Sequence, residues 1–155
     1  MFNADLPVEI LLVEDNPDDE ELTLRALREN RLANAIHVVR DGEEALEFLS
    51  CTGRYTELEP AKGTPKVILL DLKLPKVSGI DVLRHIKSDK RLRLVPVVVM
   101  TSSREERDVV ESYDLGVNSY IVKPVTFEQF SESVRQVGMY WLLLNQPRVL
   151  SRPLK

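Results

Sequence analysis

Four short strand-like runs, each closed by a polar or charged residue, set the frame of this chain. Ile10-Leu11-Leu12-Val13 ends in Glu14-Asp15, Val67-Ile68-Leu69-Leu70 in Asp71, Val97-Val98-Val99-Met100 in Thr101, and Ser119-Tyr120-Ile121-Val122 in Lys123-Pro124. Brief, nearly continuous apolar runs of this kind belong to strands buried on both faces. Together with a further run they predict strands near 8–14, 35–39, 66–71, 96–101 and 118–122. Between them the apolar spacing changes to three and four. Glu20 to Arg31 carries Leu24 and Leu27, Glu43 to Ser50 carries Ala45, Leu46 and Leu49, and Gly79 to Lys87 carries Ile80, Leu83 and Ile86. Each segment presents one apolar face, as a helix over a sheet does. Strand and helix alternate, which predicts a parallel sheet covered on both faces through right-handed crossovers.

In an open parallel sheet, ligands bind outside the carboxyl ends of the strands. Those ends supply Glu14, Asp15 and Asp71, three acids whose mutual repulsion calls for a cation, and hard oxygen ligands suit Mg2+. They also supply the Thr101 hydroxyl and the Lys123 ammonium. A carboxylate, a divalent cation, a hydroxyl donor and a lysine are what a pocket needs to receive a phosphoryl group, because that chemistry is mostly positioning and charge neutralisation. Asp71 reads as the acceptor. Asp18, Asp19, Glu20 and Glu21 have a plainer reading: Asn16 or Asp15 caps the first helix, Pro17 takes its first position, and acids in the first turn complement the helix dipole. Cys51 to Lys66 carries Gly53, Pro60, Gly63 and Pro65 and reads as a loop longer than usual, either a partner-contact surface or a tolerated insertion.

Glu14, Asp15, Asp71, Thr101, Tyr120 and Lys123 fall in an order that resembles the receiver domains of two-component response regulators, from about Val8 to about Leu144. Asp41-Gly42, Leu74-Pro75, Ser78-Gly79 and Lys123-Pro124 add to the resemblance. It implies an α/β fold, a flavodoxin-like doubly wound five-stranded parallel sheet of order 2-1-3-4-5 with five helices. It further implies a signalling protein, not an enzyme, that accepts a phosphoryl group on Asp71 from a sensor histidine kinase. Asp15 and Asp71 would coordinate Mg2+ directly, Glu14 through water, and the Lys73 carbonyl would complete the protein ligands. Many relatives carry aspartate in place of Glu14. Lys123 would pair with Asp71 and then with a phosphoryl oxygen, Thr101 would be the switch hydroxyl, and Tyr120 the switch aromatic. Lys73 and Ser103 lie where the family controls water access. The Lys123-Pro124 bond is a candidate for the cis isomer. The long loop and the Tyr140-Trp141-Leu142 ending are similar to small response regulators that serve phytochromes, which implies a phytochrome kinase as donor.

Other classes fit less well. A haloacid-dehalogenase-type hydrolase needs an aspartate at position 73, where this chain has Lys73, and no P-loop glycine motif occurs. A phosphorylation-independent protein-binding pseudo-receiver remains the alternative. A net charge of −4 argues against direct nucleic-acid binding. The apolar runs are far shorter than the roughly 18 residues of a membrane span. No leader pattern precedes Pro7, so the expected location is cytoplasmic, and Cys51 as the one cysteine fits a reducing compartment. The expected organisation is a receiver over 1–144 and a short extension over 145–155 with no output domain. In the last helix Phe127, Phe130, Val134, Val137, Trp141 and Leu144 form one stripe, while Tyr140, Leu142 and Leu143 lie off it. Apolar residues on further faces predict a homodimer through the fifth helix and the neighbouring fourth-helix face.

Overall fold

The computed structural model describes residues 8–30 and 36–136. Five parallel strands lie in the order β2-β1-β3-β4-β5. They are β1 (Ile10–Val13), β2 (Ile36–Val39), β3 (Val67–Asp71), β4 (Val97–Thr101) and β5 (Ser119–Val122), alternating with α1 (Pro17–Glu29), α2 (Gly42–Ser50), α3 (Gly79–Ser88), α4 (Arg104–Ser112) and α5 (Phe127–Gln136). This is the doubly wound fold the alternation predicts. Ile10 sits opposite both Ile36 and Val67, and Asp71 opposite Met100, so the carboxyl ends of β1, β3, β4 and β5 share one edge.

All five helices start at a side-chain cap, α5 at Thr126, whose hydroxyl accepts from the Gln129 N–H at 3.2 Å. The Asn16 side chain accepts from the Asp18 and Asp19 N–H groups at 2.9 Å each, so α1 starts at Pro17, the first position the sequence offers it. Asp41 caps α2, Ser78 caps α3 and Ser103 caps α4. Each such cap is worth about 1 kcal/mol. The Ser103 hydroxyl is therefore occupied by the Glu106 N–H at 3.1 Å.

Strand alternation divides the core in two. Ile10, Leu12, Val67, Leu69, Val98 and Ile121 pack with Leu27 of α1 and with Phe130 and Val134 of α5. Leu11, Val13, Ile68, Leu70, Val97 and Val99 pack on the opposite face with Phe48, Leu83 and Ile86 from α2 and α3. The apolar stripe predicted for the last helix holds at Phe130 and Val134, but Phe127 is 39 % exposed. Its remaining members, and Tyr140, Leu142 and Leu143, lie outside the described residues, as does Ala35 at the predicted start of the second strand.

The segment between α2 and β3 belongs to the second core. It forms a short 3-10 turn over Gly53–Tyr55, and Tyr55 and Leu58 are buried. The Tyr55 hydroxyl donates to Glu44 at 2.6 Å and meets His37 Nε2 at 2.9 Å. His37 in turn stacks on Phe48, and burial lowers its pKa. Arg91, between α3 and β4, donates to the Leu49 carbonyl and the Thr64 hydroxyl. The long loop is thus sewn into the fold rather than laid over it. Among the described residues no helix is long and apolar enough to cross a membrane.

One glycine sets the distance between α3 and the end of β3. A Cβ on Gly79 would lie 2.5 Å from the Asp71 carbonyl oxygen and 2.6 Å from Leu72 Cα, both backbone atoms that cannot step aside cheaply. Gly79→Ala is expected to destabilise the fold by about 2 kcal/mol or more. Urea denaturation reads this directly, and an unchanged midpoint would show that the loop after Asp71 yields.

Candidate functional site

Three strand ends and one helix start meet around the Lys123 ammonium. Glu14 extends the β1 ladder, with its N–H donating to Val39 O at 3.0 Å, and is wholly buried. Asp15 follows it and is exposed. Asp71 closes β3 and is 5 % exposed. One carboxylate oxygen from each of these three residues lies within 4.8 Å of the others. Lys123 extends β5 through its N–H to Thr101 O at 2.8 Å and precedes a cis peptide to Pro124, the isomer expected from sequence. Its ammonium donates to Glu14 Oε2 at 3.1 Å, Asp19 Oδ2 at 3.0 Å and Asp71 Oδ2 at 3.1 Å. An ammonium has three N–H donors, and these bonds use all of them.

The electrostatics follow from burial. The Glu14 carboxyl is pushed up to about 8, chiefly because burial penalises its charge and further because Asp71 stands beside it; the Lys123 hydrogen bond pulls the other way. Burial also works against the Lys123 ammonium, but the bonds to Glu14 and Asp19 and the charge of Asp71 outweigh it and hold its pKa above the ordinary lysine range. Glu14 Oε1 lies 2.9 Å from the same nitrogen and yet accepts no hydrogen bond. Three carboxylates with an oxygen each inside 4.8 Å of the others form a hard, negatively charged donor set of the kind a divalent cation takes. Glu14, Asp15 and Asp71 are the residues that could hold one.

Thr101, the last residue of β4, is wholly buried and its Oγ1 has no hydrogen-bond partner. Leaving such a hydroxyl unsatisfied costs about 1–3 kcal/mol, so the atom is poised for an acceptor. Tyr120 packs against the core cluster on the α2/α3 face, with the Arg107 guanidinium 4.9 Å from its ring centre, and burial raises its pKa. The Lys73 N–H donates to Asp71 Oδ1 at 3.2 Å. Its side chain is 74 % exposed and reaches Glu106 Oε2 at 3.7 Å, so it leans across to α4 and does not cover Asp71. Glu106 Oε1 also accepts from the Ser102 N–H at 2.7 Å.

Asp19 is the site residue that sequence reasoning missed. It reads as one of several acids in the first turn of α1, yet its carboxylate bonds Lys123. Its position in the first turn of α1, directly after the acidic end of β1, was the available signal.

A model of the response regulator receiver domain matches residues 10–135. The bacteriophytochrome response regulator AtBRR is 54 % identical, with a TM-score of 0.80, over 87 % of this chain and 95 % of that one. The probable methanogenesis regulatory protein FilR2 of Methanothrix harundinacea is 40 % identical over 94 % of this chain and 91 % of its own length. The Mn(2+)-bound form of response regulator Rcp1 of Synechocystis is 38 % identical, with a TM-score of 0.68, over 88 % of this chain and 95 % of that one.

The raised Glu14 carboxyl makes two quantities depend on pH. Folding favours the proton-bound form, so the metal-free protein loses stability as pH rises from the ordinary value of 4.5 through about 8. A cation must displace that proton, so its affinity rises over the same window and levels off above it. Glu14→Gln is expected to flatten both slopes while weakening cation binding, as read by chemical denaturation and calorimetry across pH. Equal slopes in wild type and variant would remove Glu14 as their source.

Proposed function

This chain belongs to the response regulator receiver domain family, whose members act with histidine kinases in two-component signalling, and on that premise we propose that Asp71 is its phosphoryl acceptor. The observation that carries this reading is the buried Asp71 carboxylate held 3.1 Å from an ammonium at the edge where β1, β3 and β5 end. In the transfer, a carboxylate oxygen of Asp71 bonds to phosphorus as the N–P bond of the kinase phosphohistidine breaks. The electron pair of that bond stays on the imidazole nitrogen. Mg2+ held directly by Asp15 and Asp71, by Glu14 through water and by the Lys73 carbonyl would neutralise charge on the phosphoryl oxygens.

The protein's own groups do the rest. Lys123 exchanges its bond to Asp71 for one to a phosphoryl oxygen. The orphaned Thr101 hydroxyl gains an acceptor, which biases β4 toward the arrangement that makes this bond. Tyr120, on the neighbouring strand, follows Thr101 and alters the surface that Arg107 now covers. Similarity to the bacteriophytochrome response regulator AtBRR supports a phytochrome-type histidine kinase as the donor, and the site of action we assign is the cytoplasm. Exposure of Val109 on α4 and of Tyr113 just after it supports a homodimer through α5 and the adjoining α4 face. Light scattering checks the dimer, and phosphotransfer from a purified phytochrome kinase checks the donor.

Intact mass after incubation with acetyl phosphate and Mg2+ tests the acceptor. The wild type is expected to gain one phosphoryl group, while Asp71→Asn and a chelated control gain none; incorporation into folded Asp71→Asn would sink the assignment. Tyr120→Ala is expected to incorporate phosphoryl normally but to show a smaller change in partner affinity on phosphorylation. Equal loss of both would contradict its role downstream of Thr101.

A further inference from the structure

The three bonds of the Lys123 ammonium differ in what can take them away. Glu14 and Asp71 belong to the carboxylate cluster suited to a divalent cation, and Asp71 also forms the bond to phosphorus in the proposed transfer. Asp19 stands outside that cluster, 3.0 Å from the ammonium, on the first turn of α1. It projects from a rigid support, because its own N–H is tied to the Asn16 side chain at 2.9 Å. The contact is sheltered, with side-chain exposures of 30 % for Asp19 and 14 % for Lys123.

We infer that Asp19 is the positioning residue of Lys123, keeping one N–H of the ammonium anchored while its bonds to Glu14 and Asp71 are surrendered to a cation and a phosphoryl group. The inference rests on the acceptor reading of Asp71. A lysine ammonium is a point charge on a flexible four-carbon stem, and fixing it costs rotamer entropy. Without Asp19, a site holding cation and phosphoryl leaves only Glu14, itself drawn toward a cation-bound water, to direct that stem. With Asp19, the ammonium pivots about one retained bond and exchanges the other two.

Helix-dipole compensation is the competing account of Asp19, and Asp18 is its control. Asp18 is in the same first turn and its N–H bonds the same Asn16 oxygen, but the ion pairs of Lys123 among the described residues are with Glu14, Asp19 and Asp71. The test compares initial phosphoryl incorporation from acetyl phosphate at saturating Mg2+, by intact mass. The proteins are wild type, Asp19→Asn, Asp19→Ser, Asp18→Asn, Lys123→Met and the Asp19→Asn, Lys123→Met double variant. Both Asp19 variants are expected to slow incorporation roughly fivefold, the worth of one charge-assisted hydrogen bond at a partly exposed site. Asp18→Asn should stay within about twofold, as a screened first-turn charge does. In the Lys123→Met background Asp19→Asn should cause no further slowing. Calorimetric Mg2+ affinity of Asp19→Asn should stay within about threefold of wild type, since one charge outside the ligand cluster is lost.

Equal slowing by Asp18→Asn and Asp19→Asn, or an Asp19 effect that persists without Lys123, overturns the inference. Incorporation into wild type with no Asp19 effect overturns it while leaving the acceptor reading intact. No incorporation into folded wild type overturns both.

Discussion

Repulsion between carboxylates at one sheet edge is the constraint from which the rest of this molecule is arranged. At 4 Å and an effective dielectric of 20, each like-charge pair costs about 4 kcal/mol. The ammonium of Lys123 answers that repulsion with three carboxylate bonds at once, and Glu14 answers the remainder by holding its proton up to about pH 8. Both answers need a rigid frame. Fully buried strands, side-chain caps at all five helix starts and the close approach of Gly79 to Asp71 provide it.

Much of this could be seen in the chain before any coordinates. Doubly buried parallel strands read as unbroken apolar runs, so Ile10 to Val13, Val67 to Leu70 and Val97 to Met100 announced both the sheet and the ends at which chemistry collects. Glu14, Asp71 and Lys123 were legible for the same reason: a charged residue directly after a buried run has few structural explanations. Family resemblance then ordered the sheet and anticipated the cis peptide at Lys123-Pro124.

What stayed hidden has a common cause, which is that helices and loops offer polar residues many ordinary roles. Asp19 looked like its neighbour Asp18, an ordinary first-turn acid, and only its bond to the Lys123 ammonium just past β5 sets it apart; Glu20 likewise turned out to pair with Arg40. Ser103, two residues beyond Thr101, also serves as the cap of α4, a role its loop setting did not announce. Phe127 has the spacing of the buried Phe130 and Val134, yet sits at the first residue of α5, before the helix has turned fully onto the sheet. Tyr55 and Leu58 lie in a glycine- and proline-punctuated stretch whose local character says loop. Tyr55 is held there by His37 of β2 and by Phe48 and Glu44 of α2, contacts that the local sequence does not announce.

The period-two alternation of the strands carries a further meaning at their ends. Counting on from Ile10 and Leu12, from Leu69 and from Ile121, the residues Glu14, Asp71 and Lys123 continue the face packed by α1 and α5. Thr101 continues the phase of Val97 and Val99, and Tyr120 packs with that same opposite face. The charge-bearing groups and the two residues proposed as switches, Thr101 and Tyr120, therefore belong to different sides of a wall one residue thick and buried throughout its middle. A message written on Asp71 has no route through such a wall and must travel around its rim, which makes the last turn of each strand, and not the sheet interior, the place where the two halves of the molecule converse.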